Sequence, residues 1–290
     1  MRDSPRVPLQ RRDAPPVGNM VDRTAITREF DRWRGKWALV TGASAGIGKA
    51  FAEELAARGA NLVLTARRGD RLEELARSLS ARNRVQTEII IADLANPRAP
   101  EAIFAFTTQK AIQIDLLINN AGFGVYGEFY MLDSQRLLDM VQVNCTAVVL
   151  LTRLYLPAMV ERCRGDVLIV ASTAAFQAVP FISVYAATKS FDLLFAEGLA
   201  EEVKPYGVRV CCLCPGSTAT EFHDVAGQPA HTRRRQESAA KVARTGLRAL
   251  AAGKSYVISG LANYLGVHGQ RLATRRFVTG VAASMFRPRA

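Results

Sequence analysis

Short apolar runs alternate with longer amphipathic segments along most of the chain. The segments between consecutive runs carry apolar side chains at helical spacing. Strands that are apolar throughout lie in parallel sheets covered on both faces. The pattern predicts an α/β fold, a doubly wound parallel sheet in a single domain with right-handed crossovers. The predicted strands, the last of them a candidate, are residues 37–41, 61–66, 87–94, 115–122 (a strand followed by a turn), 166–172, 208–216 and 255–259.

The two ends of the chain depart from this alternation. Residues 1–19 are rich in Pro and Arg, and we expect residues 1–35 to form a partly disordered leader with a short helix over 20–35. The folded domain is predicted to span residues 36–259, with a polar segment of loops and short helices at 217–237. Residues 260–290 are predicted to form a basic C-terminal helical extension.

Positive charge is concentrated near the C-terminus. The net charge is +12, and residues 233–290 hold twelve basic residues and a single acidic one, Glu237. Apolar residues among the arginines of 261–287 leave two interpretations open. The segment is a helix packed on the domain or on a second subunit, or it lies on an anionic membrane surface. Nucleic-acid binding is not favoured, because no stacking platform or groove-reading motif accompanies the charge.

Cysteine usage favours a reducing compartment. The chain has five cysteines, an odd number, and three lie in one apolar strand. There, Cys212 and Cys214 face one side and Cys211 the other, so we expect buried thiols, with a redox or metal pair as the alternative. We find no signal peptide and no run of 18 apolar residues. The expected location is cytoplasmic, or peripheral at the membrane if the extension binds there.

A glycine-rich segment, TGASAGIG at residues 41–48, separates the first predicted strand from the first helix. Gly42, Gly46 and Gly48 permit a tight turn and the close approach of a ligand, and the helix N-terminus offers N–H groups to a pyrophosphate. The position of the loop therefore predicts a dinucleotide site. No His, Cys or Asp cluster has metal-ligand spacing, and we interpret His223 and His231 as loop residues.

The end of the second strand indicates which dinucleotide is bound. An acidic residue there binds the ribose 2′-hydroxyl, whereas an Arg accommodates a 2′-phosphate. The chain has Arg67 and Arg68, and its first acid, Asp70, begins the next helix. We therefore predict NADP(H), with NAD(H) less favoured. Two solvated surface arginines are the alternative interpretation.

Tyr185 and Lys189 are one helical turn apart and share a helix face. A free tyrosine has a pKa near 10, too high for acid–base catalysis at neutral pH. A neighbouring ammonium and a positively charged nicotinamide both lower that pKa. Ser172, at the end of the fifth strand, is expected to hydrogen-bond a substrate carbonyl, and Asn144 to join a proton relay through a water. Taken singly, Tyr185 is equally well interpreted as a packed aromatic.

Together these motifs resemble the short-chain dehydrogenase/reductase family. The resemblance covers residues 36–222 and includes the glycine loop, NNAG at Asn119–Gly122, the Tyr–Lys pair and Pro215–Gly216. It implies a Rossmann fold and hydride transfer between NADP(H) and a carbonyl or secondary alcohol, with Tyr185 as general acid and base. A mobile substrate lid at 217–237, a small-molecule substrate of apolar character and a homo-oligomer are also expected.

The resemblance further assigns residue roles. It places Asp93 at the adenine, Lys189 at the nicotinamide ribose and Thr220 at the carboxamide. One position departs from the pattern: Ala45 stands where many NADP-using members carry a second basic residue. The predicted catalytic residues are Ser172, Tyr185, Lys189 and Asn144. The predicted cofactor-binding residues are Gly42, Ser44, Gly46, Ile47, Gly48, Arg67, Arg68, Asp93, Leu94, Asn119, Ala121, Gly122, Tyr185, Lys189, Pro215, Gly216, Thr218 and Thr220.

Two other classes of function stay open at this point. One is a non-catalytic dinucleotide sensor with the same fold, and the other is a scaffold that acts at a membrane surface through the basic extension. The presence of both Tyr185 and Lys189 favours an enzyme over either. Acyl-chain, steroid, sugar and xenobiotic carbonyl substrates remain alternatives, because the lid sequence indicates none of them.

Overall fold

The computed structural model describes residues 31–232 and 236–288. Seven of their strands form one parallel sheet in the order β3-β2-β1-β4-β5-β6-β9, and β7 and β8 form a separate parallel pair. The strands are β1 (Trp37–Thr41), β2 (Asn61–Ala66), β3 (Thr87–Ile91), β4 (Ile114–Asn119), β5 (Gly165–Val170), β6 (Val208–Cys214), β7 (Thr218–Ala219), β8 (Glu237–Ser238) and β9 (Tyr256–Ile258).

Helices cover both faces of the large sheet. One π-helical turn, Gln142–Thr146, joins α4 to α5. The helices are α1 (Gly46–Ala56), α2 (Gly69–Asn83), α3 (Ala99–Gln109), α4 (Ser134–Val141), α5 (Ala147–Glu161), α6 (Ser183–Val203), α7 (Phe222–Val225), α8 (Ala239–Ala251), α9 (Leu261–Gly269) and α10 (Arg275–Phe286).

The predicted doubly wound α/β fold, with Rossmann topology and a parallel sheet, is confirmed. All seven predicted strands are present, although the third ends at Ile91 and not at residue 94. The predicted leader lies outside the described residues except for its last part, in which Asp31–Trp33 forms a 3₁₀ turn. The boundary between domain and extension at residue 259 stays a prediction.

Two apolar layers hold the sheet between its helices. Phe51, Leu55 and Leu247, from α1 and α8, pack on one face. Ile103 and Leu151, from α3 and α5, pack on the other. Burial of each such side chain contributes about 1.5–3 kcal/mol. The strand order reverses between β1 and β4, so a crevice for ligands opens at their carboxyl ends.

One helical stretch has the length and composition that a membrane span requires. Among the described residues this is Ser134–Glu161, with 28 residues. We expected no such run. Its inner residues Leu151, Tyr155 and Met159 pack on the sheet, and core helices of many proteins meet the same criterion.

The strand cysteines lie as predicted. Cys211, Cys212 and Cys214 are buried in β6, and the Cys212 and Cys214 sulfurs lie 3.8 Å apart on one face. Desolvation raises the pKa of Cys211, so its thiol stays protonated.

A buried carboxylate fastens the segment before β1 to the sheet. Asp166 of β5 accepts hydrogen bonds from Trp33 Nε1 at 2.8 Å, Arg32 Nε at 3.0 Å and Arg209 Nε at 2.9 Å. Burial raises the pKa of Asp166 to about 6, and Arg32 opposes that rise. Asp166 is therefore the shared acceptor of three side chains, two from the segment before β1 and one from β6.

We expect Asp166→Ala to lower the free energy of unfolding by about 3 kcal/mol, because it leaves two guanidinium groups and an indole N–H without their acceptor. Urea denaturation measures this. The matched control is Glu201→Ala, which breaks an ion pair with Lys204 in which both side chains are 72% exposed and changes stability very little. Equal stability of the two variants would contradict the anchoring role.

Candidate active site

The side chains of Tyr185 and Lys189 lie together on the buried face of α6. The Lys189 ammonium donates to the Val170 carbonyl, at the end of β5, over 2.8 Å. It also donates to Asp192 Oδ2 over 2.9 Å, and its Nζ lies 6.0 Å from the centre of the Tyr185 ring. A strand end and the helix itself therefore fix the amine beside the phenol.

Asp192 was missed by the sequence analysis. It is fully buried one turn beyond Lys189 and forms an ion pair with it. Burial lowers the pKa of Lys189, but Asp192 and Tyr185 raise it, and the net direction is upward. The amine is therefore held as an ammonium. An acid three residues after a helical lysine is the signal that could have identified the pair.

Two opposing effects act on the pKa of Tyr185. Desolvation raises it, whereas the Lys189 charge and a hydrogen bond with Ser172 lower it, and the net direction with protein groups alone is upward. The Lys189 charge therefore acts in the expected direction, but burial outweighs it when no nicotinamide is bound. The buried position favours the neutral phenol, which is the protonation state that a proton donor requires.

Ser172 lies between β5 and the turn Thr173–Phe176. Its Oγ accepts from the Ala174 N–H at 3.1 Å and hydrogen-bonds the Tyr185 phenol. The serine is thus placed beside the tyrosine, as the sequence predicted.

Asn144 lies in the π turn, directly behind the site. Its Oδ1 accepts from the Phe123 N–H at 3.1 Å, and its Nδ2 donates to the Phe123 carbonyl and to Thr188 Oγ1, both at 3.0 Å. A methyl group at Gly122 would meet both Asn144 and Lys189 at 3.1–3.3 Å. The side chain therefore braces the loop after β4, and these bonds direct it there and not toward the phenol.

The glycine loop forms a close-fitting cradle at the N-terminus of α1. Gly42 and Gly46 have φ angles of +66° and +56°, and a side chain at Gly48 would collide with the Gly42 carbonyl oxygen. Ala45, at the N-cap, provides no side-chain cap, so the first N–H groups of α1 are available to an anion. The cradle fits the pyrophosphate of a dinucleotide.

The predicted phosphate-binding arginines differ in their surroundings. Arg68 donates to Ser44 Oγ at 3.2–3.3 Å and to Glu221 of the lid at 2.7 Å. Arg71 contacts the same carboxylate at 2.6 Å, and the two arginines lower the pKa of Glu221. Arg67 is more exposed and lies 3.9 Å from Asp93. Arg68, with Ser44, is therefore the better-placed anion ligand.

Asn119 does not reach the crevice. Its side chain is buried and donates to Thr152 Oγ1 of α5 at 3.0 Å, so the expected role along a cofactor does not fit this orientation. Asn120 and Ala121 line the crevice in its place. Their backbone N–H groups both donate to Thr41 Oγ1 at 2.9 Å, which sets the shape of this turn.

One cavity of about 840 Å³ connects these groups. The predicted residues in its wall are Gly42, Ser44, Gly46, Ile47, Arg67, Arg68, Asp93, Leu94, Ala121, Gly122, Ser172, Tyr185, Lys189, Pro215, Gly216, Thr218 and Thr220. Gly48, Asn119 and Asn144 are not in its wall.

Residues of the predicted lid close one side of this cavity. The Phe222 ring lies 5.2 Å from the Tyr185 ring, and Arg136 donates to the Val225 carbonyl at 2.6 Å. His223 is buried between Ser217 Oγ and Gln228 Oε1, at 3.0 and 2.5 Å, so it holds the lid together. His223 was expected in a loop, but it lies in the short helix α7 and its side chain is buried.

The C-terminal extension packs across the far end of the cavity. Tyr126 donates from its hydroxyl to the Phe286 carbonyl at 2.7 Å, and Gln270 donates to the Phe176 carbonyl at 3.2 Å. Met285 and Phe286 of α10 enter the cavity wall. Intramolecular packing, one of the two interpretations of this segment, is therefore present, and it makes the extension part of the site.

A doubly wound sheet with a glycine turn at its switch point is typical of dinucleotide-binding proteins. Residues 36–230 match the family model described as short chain dehydrogenase, and the chain belongs to this family.

Curated relatives include the very-long-chain 3-oxoacyl-CoA reductase of Bos taurus, 37% identical over 194 residues. The match covers 66% of this chain and 62% of the relative, so the chain spans less than two thirds of that protein. The hydroxysteroid dehydrogenase-like protein 1 of Gallus gallus is 38% identical over 191 residues, covering 65% of this chain and 57% of the relative.

Solved structures with the same fold include a short-chain dehydrogenase from Sphingobium yanoikuyae in complex with NADPH. It superposes with a TM-score of 0.75 at 30% identity, over 88% of this chain and 98% of that one. A 7beta-hydroxysteroid dehydrogenase superposes with a TM-score of 0.78 at 26% identity, over 88% of this chain and 99% of that one.

We expect Asp192→Asn to move the alkaline limb of the pH–rate profile to lower pH. The variant keeps the side-chain shape but removes the carboxylate that raises the pKa of Lys189. The contribution of the ammonium is present below its pKa and is lost as pH rises through it, so a lower pKa brings that loss at a lower pH. We also expect kcat at neutral pH to fall about tenfold.

The control for this experiment is Glu201→Gln, which removes an exposed carboxylate from the same helix. A pH profile of Asp192→Asn that matches that of the control would contradict a role of Asp192 in proton transfer.

Proposed function

We propose that the chain is an NADP(H)-dependent oxidoreductase that reduces the carbonyl group of an extended apolar substrate, with Tyr185 as the general acid. The observation that carries this proposal is the single cavity with two unlike ends. The glycine cradle and Arg68 lie at one end, and apolar side chains lie at the other. Tyr185 and Lys189 line the same cavity, and Tyr185 packs with the apolar group.

The bound nicotinamide would supply or accept the hydride. The chain's own groups would handle the proton and the orientation of the substrate. Ser172 orients the carbonyl oxygen toward the phenol, and Tyr185 donates its proton to that oxygen as negative charge develops there. Lys189, held by Val170 and Asp192, stabilises the phenolate that remains. In the oxidation direction the same phenolate accepts the proton back.

Two features support NADP(H) as the cofactor. Arg68 and Ser44 offer donors where a 2′-phosphate is bound in doubly wound folds, and no acid ends β2. The related structure from Sphingobium yanoikuyae was determined in complex with NADPH. We propose that Arg68 is the main phosphate ligand, with Arg67 as its neighbour.

The apolar end of the cavity supports a substrate with a long hydrocarbon part. Its wall is formed largely by Val179, Ile182, Phe222, Val278, Met285 and Phe286. Several of the curated relatives are named as reductases of very-long-chain 3-oxoacyl-CoA. We propose a 3-oxoacyl thioester, or a ketone of similar apolar extent, as the substrate class.

Assembly and location belong to the same proposal. Phe191 and Leu194 of α6, with Leu138 and Val141 of α4, are exposed apolar side chains on the outer helix faces. They support a homo-oligomer. We propose a reducing, cytoplasmic compartment, because the number of cysteines is odd and three of the five thiols are buried in β6.

We expect Tyr185→Phe to lower kcat by about 10²–10⁴-fold, because the proton donor is lost. Binding of NADPH should change less than threefold, since the substitution removes only a hydroxyl. Absorbance of NADPH with a 3-oxoacyl thioester and a ketone panel measures kcat. NADPH fluorescence measures binding of the cofactor. Tyr130→Phe, at an exposed phenol, is the matched control. Full turnover by Tyr185→Phe would refute the assignment.

We expect Arg68→Gln to weaken NADPH binding about tenfold and to leave NADH binding nearly unchanged, since only NADPH carries the 2′-phosphate. Glu221→Gln should strengthen NADPH binding, because it removes the carboxylate that pairs with Arg68 and Arg71. Fluorescence titrations with both cofactors provide the test, with Arg77→Gln on α2 as control. Equal losses for NADPH and NADH would contradict the role of Arg68.

A further inference from the structure

The outer surface of the C-terminal helix pair is apolar and exposed. We define this surface, the outer patch, by Leu261, Tyr264, Leu265, Leu272 and Phe277, which lie on α9, α10 and the turn between them. Leu272 is 94% exposed and Phe277 is 64% exposed. Solvent-exposed side chains of this size, grouped on one short segment, typically mark a site of contact with another apolar phase or molecule.

The charged residues of the extension that carries the outer patch have one sign. Arg271, Arg275, Arg276 and Arg287 of this extension are exposed. The sequence has no Asp or Glu between residues 260 and 290. A protein partner of ordinary composition would not require such an excess of positive charge. An anionic surface is complementary to it.

The outer patch is continuous with the apolar end of the active-site cavity. Phe277 and Val281 are exposed and also line the cavity. Val278, Met285 and Phe286 continue that lining inward along α10. The same helix therefore presents apolar side chains to the outside and to the site.

The helix pair is too short to span a bilayer. The nine residues of α9 and the twelve of α10 correspond to about 14 and 18 Å at a rise of about 1.5 Å per residue. A hydrocarbon core is about 30 Å thick. The dimensions and the mixture of Arg with Leu, Tyr and Phe fit a segment that lies in the membrane interface.

We propose that the outer patch docks on an anionic phospholipid bilayer and turns the apolar mouth of the cavity toward the lipid. The arginines contact the headgroups, and Leu265, Leu272 and Phe277 enter the boundary with the acyl chains. An apolar substrate dissolved in the bilayer then reaches Tyr185 along α10 without crossing water. This last step rests on the proposed reductase function, whereas the docking does not.

Co-sedimentation of the full chain with vesicles tests the docking. The vesicles are pure phosphatidylcholine or a 7:3 mixture of phosphatidylcholine and phosphatidylglycerol. We expect strong binding to the anionic vesicles only. Each arginine near such a surface contributes roughly a fivefold gain in partitioning, so Arg275→Gln with Arg276→Gln should lower binding about 25-fold. Leu272→Ser should lower it about tenfold or more.

The matched control is Arg82→Gln with Arg153→Gln, which removes two exposed charges from α2 and α5. We expect it to retain binding within about threefold, since these positions lie outside the patch. Thermal unfolding shows that each variant is folded. The substituted positions of the outer patch are exposed, so folding is expected to be preserved.

Three results would overturn the proposal. The first is no binding of the wild-type chain to anionic vesicles. The second is equal loss of binding in the patch and control variants. The third is sedimentation velocity showing that Leu272→Ser converts an oligomer to a monomer, which would make the outer patch a contact between copies of this chain.

A second arm separates docking from catalysis. Turnover is compared for a long-chain ketone carried in anionic vesicles and for a short water-soluble ketone. We expect the Arg275→Gln, Arg276→Gln variant to lose rate with the first substrate only. No turnover of either by the wild-type chain would refute the reductase and leave the docking result standing. Equal rates for variant and wild type with both substrates would overturn delivery from the lipid.

Discussion

The site depends on one buried ammonium. Lys189 has lost most of its contact with water, and it persists as a cation because the Val170 carbonyl and the Asp192 carboxylate replace that hydration. A buried lysine without such partners would lose its proton. The paired ammonium stabilises negative charge on the neighbouring phenol, and its bond to Val170 ties α6 to the end of β5. The electrostatics of the site and the packing of the helix are therefore set by the same three groups.

The cavity divides its two binding tasks between different parts of the fold. The end near α1 and β2 offers N–H groups and a guanidinium, which suit an anion. The end near α10 offers mainly apolar side chains. The core elements of the Rossmann sheet provide the anion-binding groups. The lid and the extension provide most of the apolar side chains. The anion-binding groups thus belong to the elements common to the fold, and most of the apolar lining belongs to segments added to it.

Much of this arrangement could be predicted from local sequence. Strands buried on both faces are apolar throughout, unlike surface strands. A glycine turn between the first strand and the first helix is typical of an anion-binding loop. Ser172, Tyr185 and Lys189 could be predicted to lie together, because one follows a strand end and the other two are one turn apart on a helix. Asp192 carried a signal too, the spacing of three to a helical lysine, but its importance depends on burial. The net rise in the pKa of Tyr185 could not be predicted for the same reason, since desolvation is a property of the folded site.

Other features could not be decided from the sequence. Asn119 and Asn120 are adjacent and identical in chemistry, and only the twist of the chain after β4 sends one to Thr152 and the other to the crevice. The basic extension has apolar residues on more than one side. Packing on the domain and contact with a membrane surface were therefore both compatible with its pattern. In the folded chain α10 has an inner face in the cavity wall and an outer face in solvent.

The most direct test of the account is a spectrophotometric titration of the Tyr185 phenol, obtained as the difference between wild type and Tyr185→Phe, with and without NADP⁺. We expect a pKa above the ordinary value for the protein alone, a lower pKa when the positively charged nicotinamide is bound, and a higher pKa in Lys189→Met. A pKa that is unaffected by both the cofactor and the lysine would contradict the claim that these charges control the proton on Tyr185.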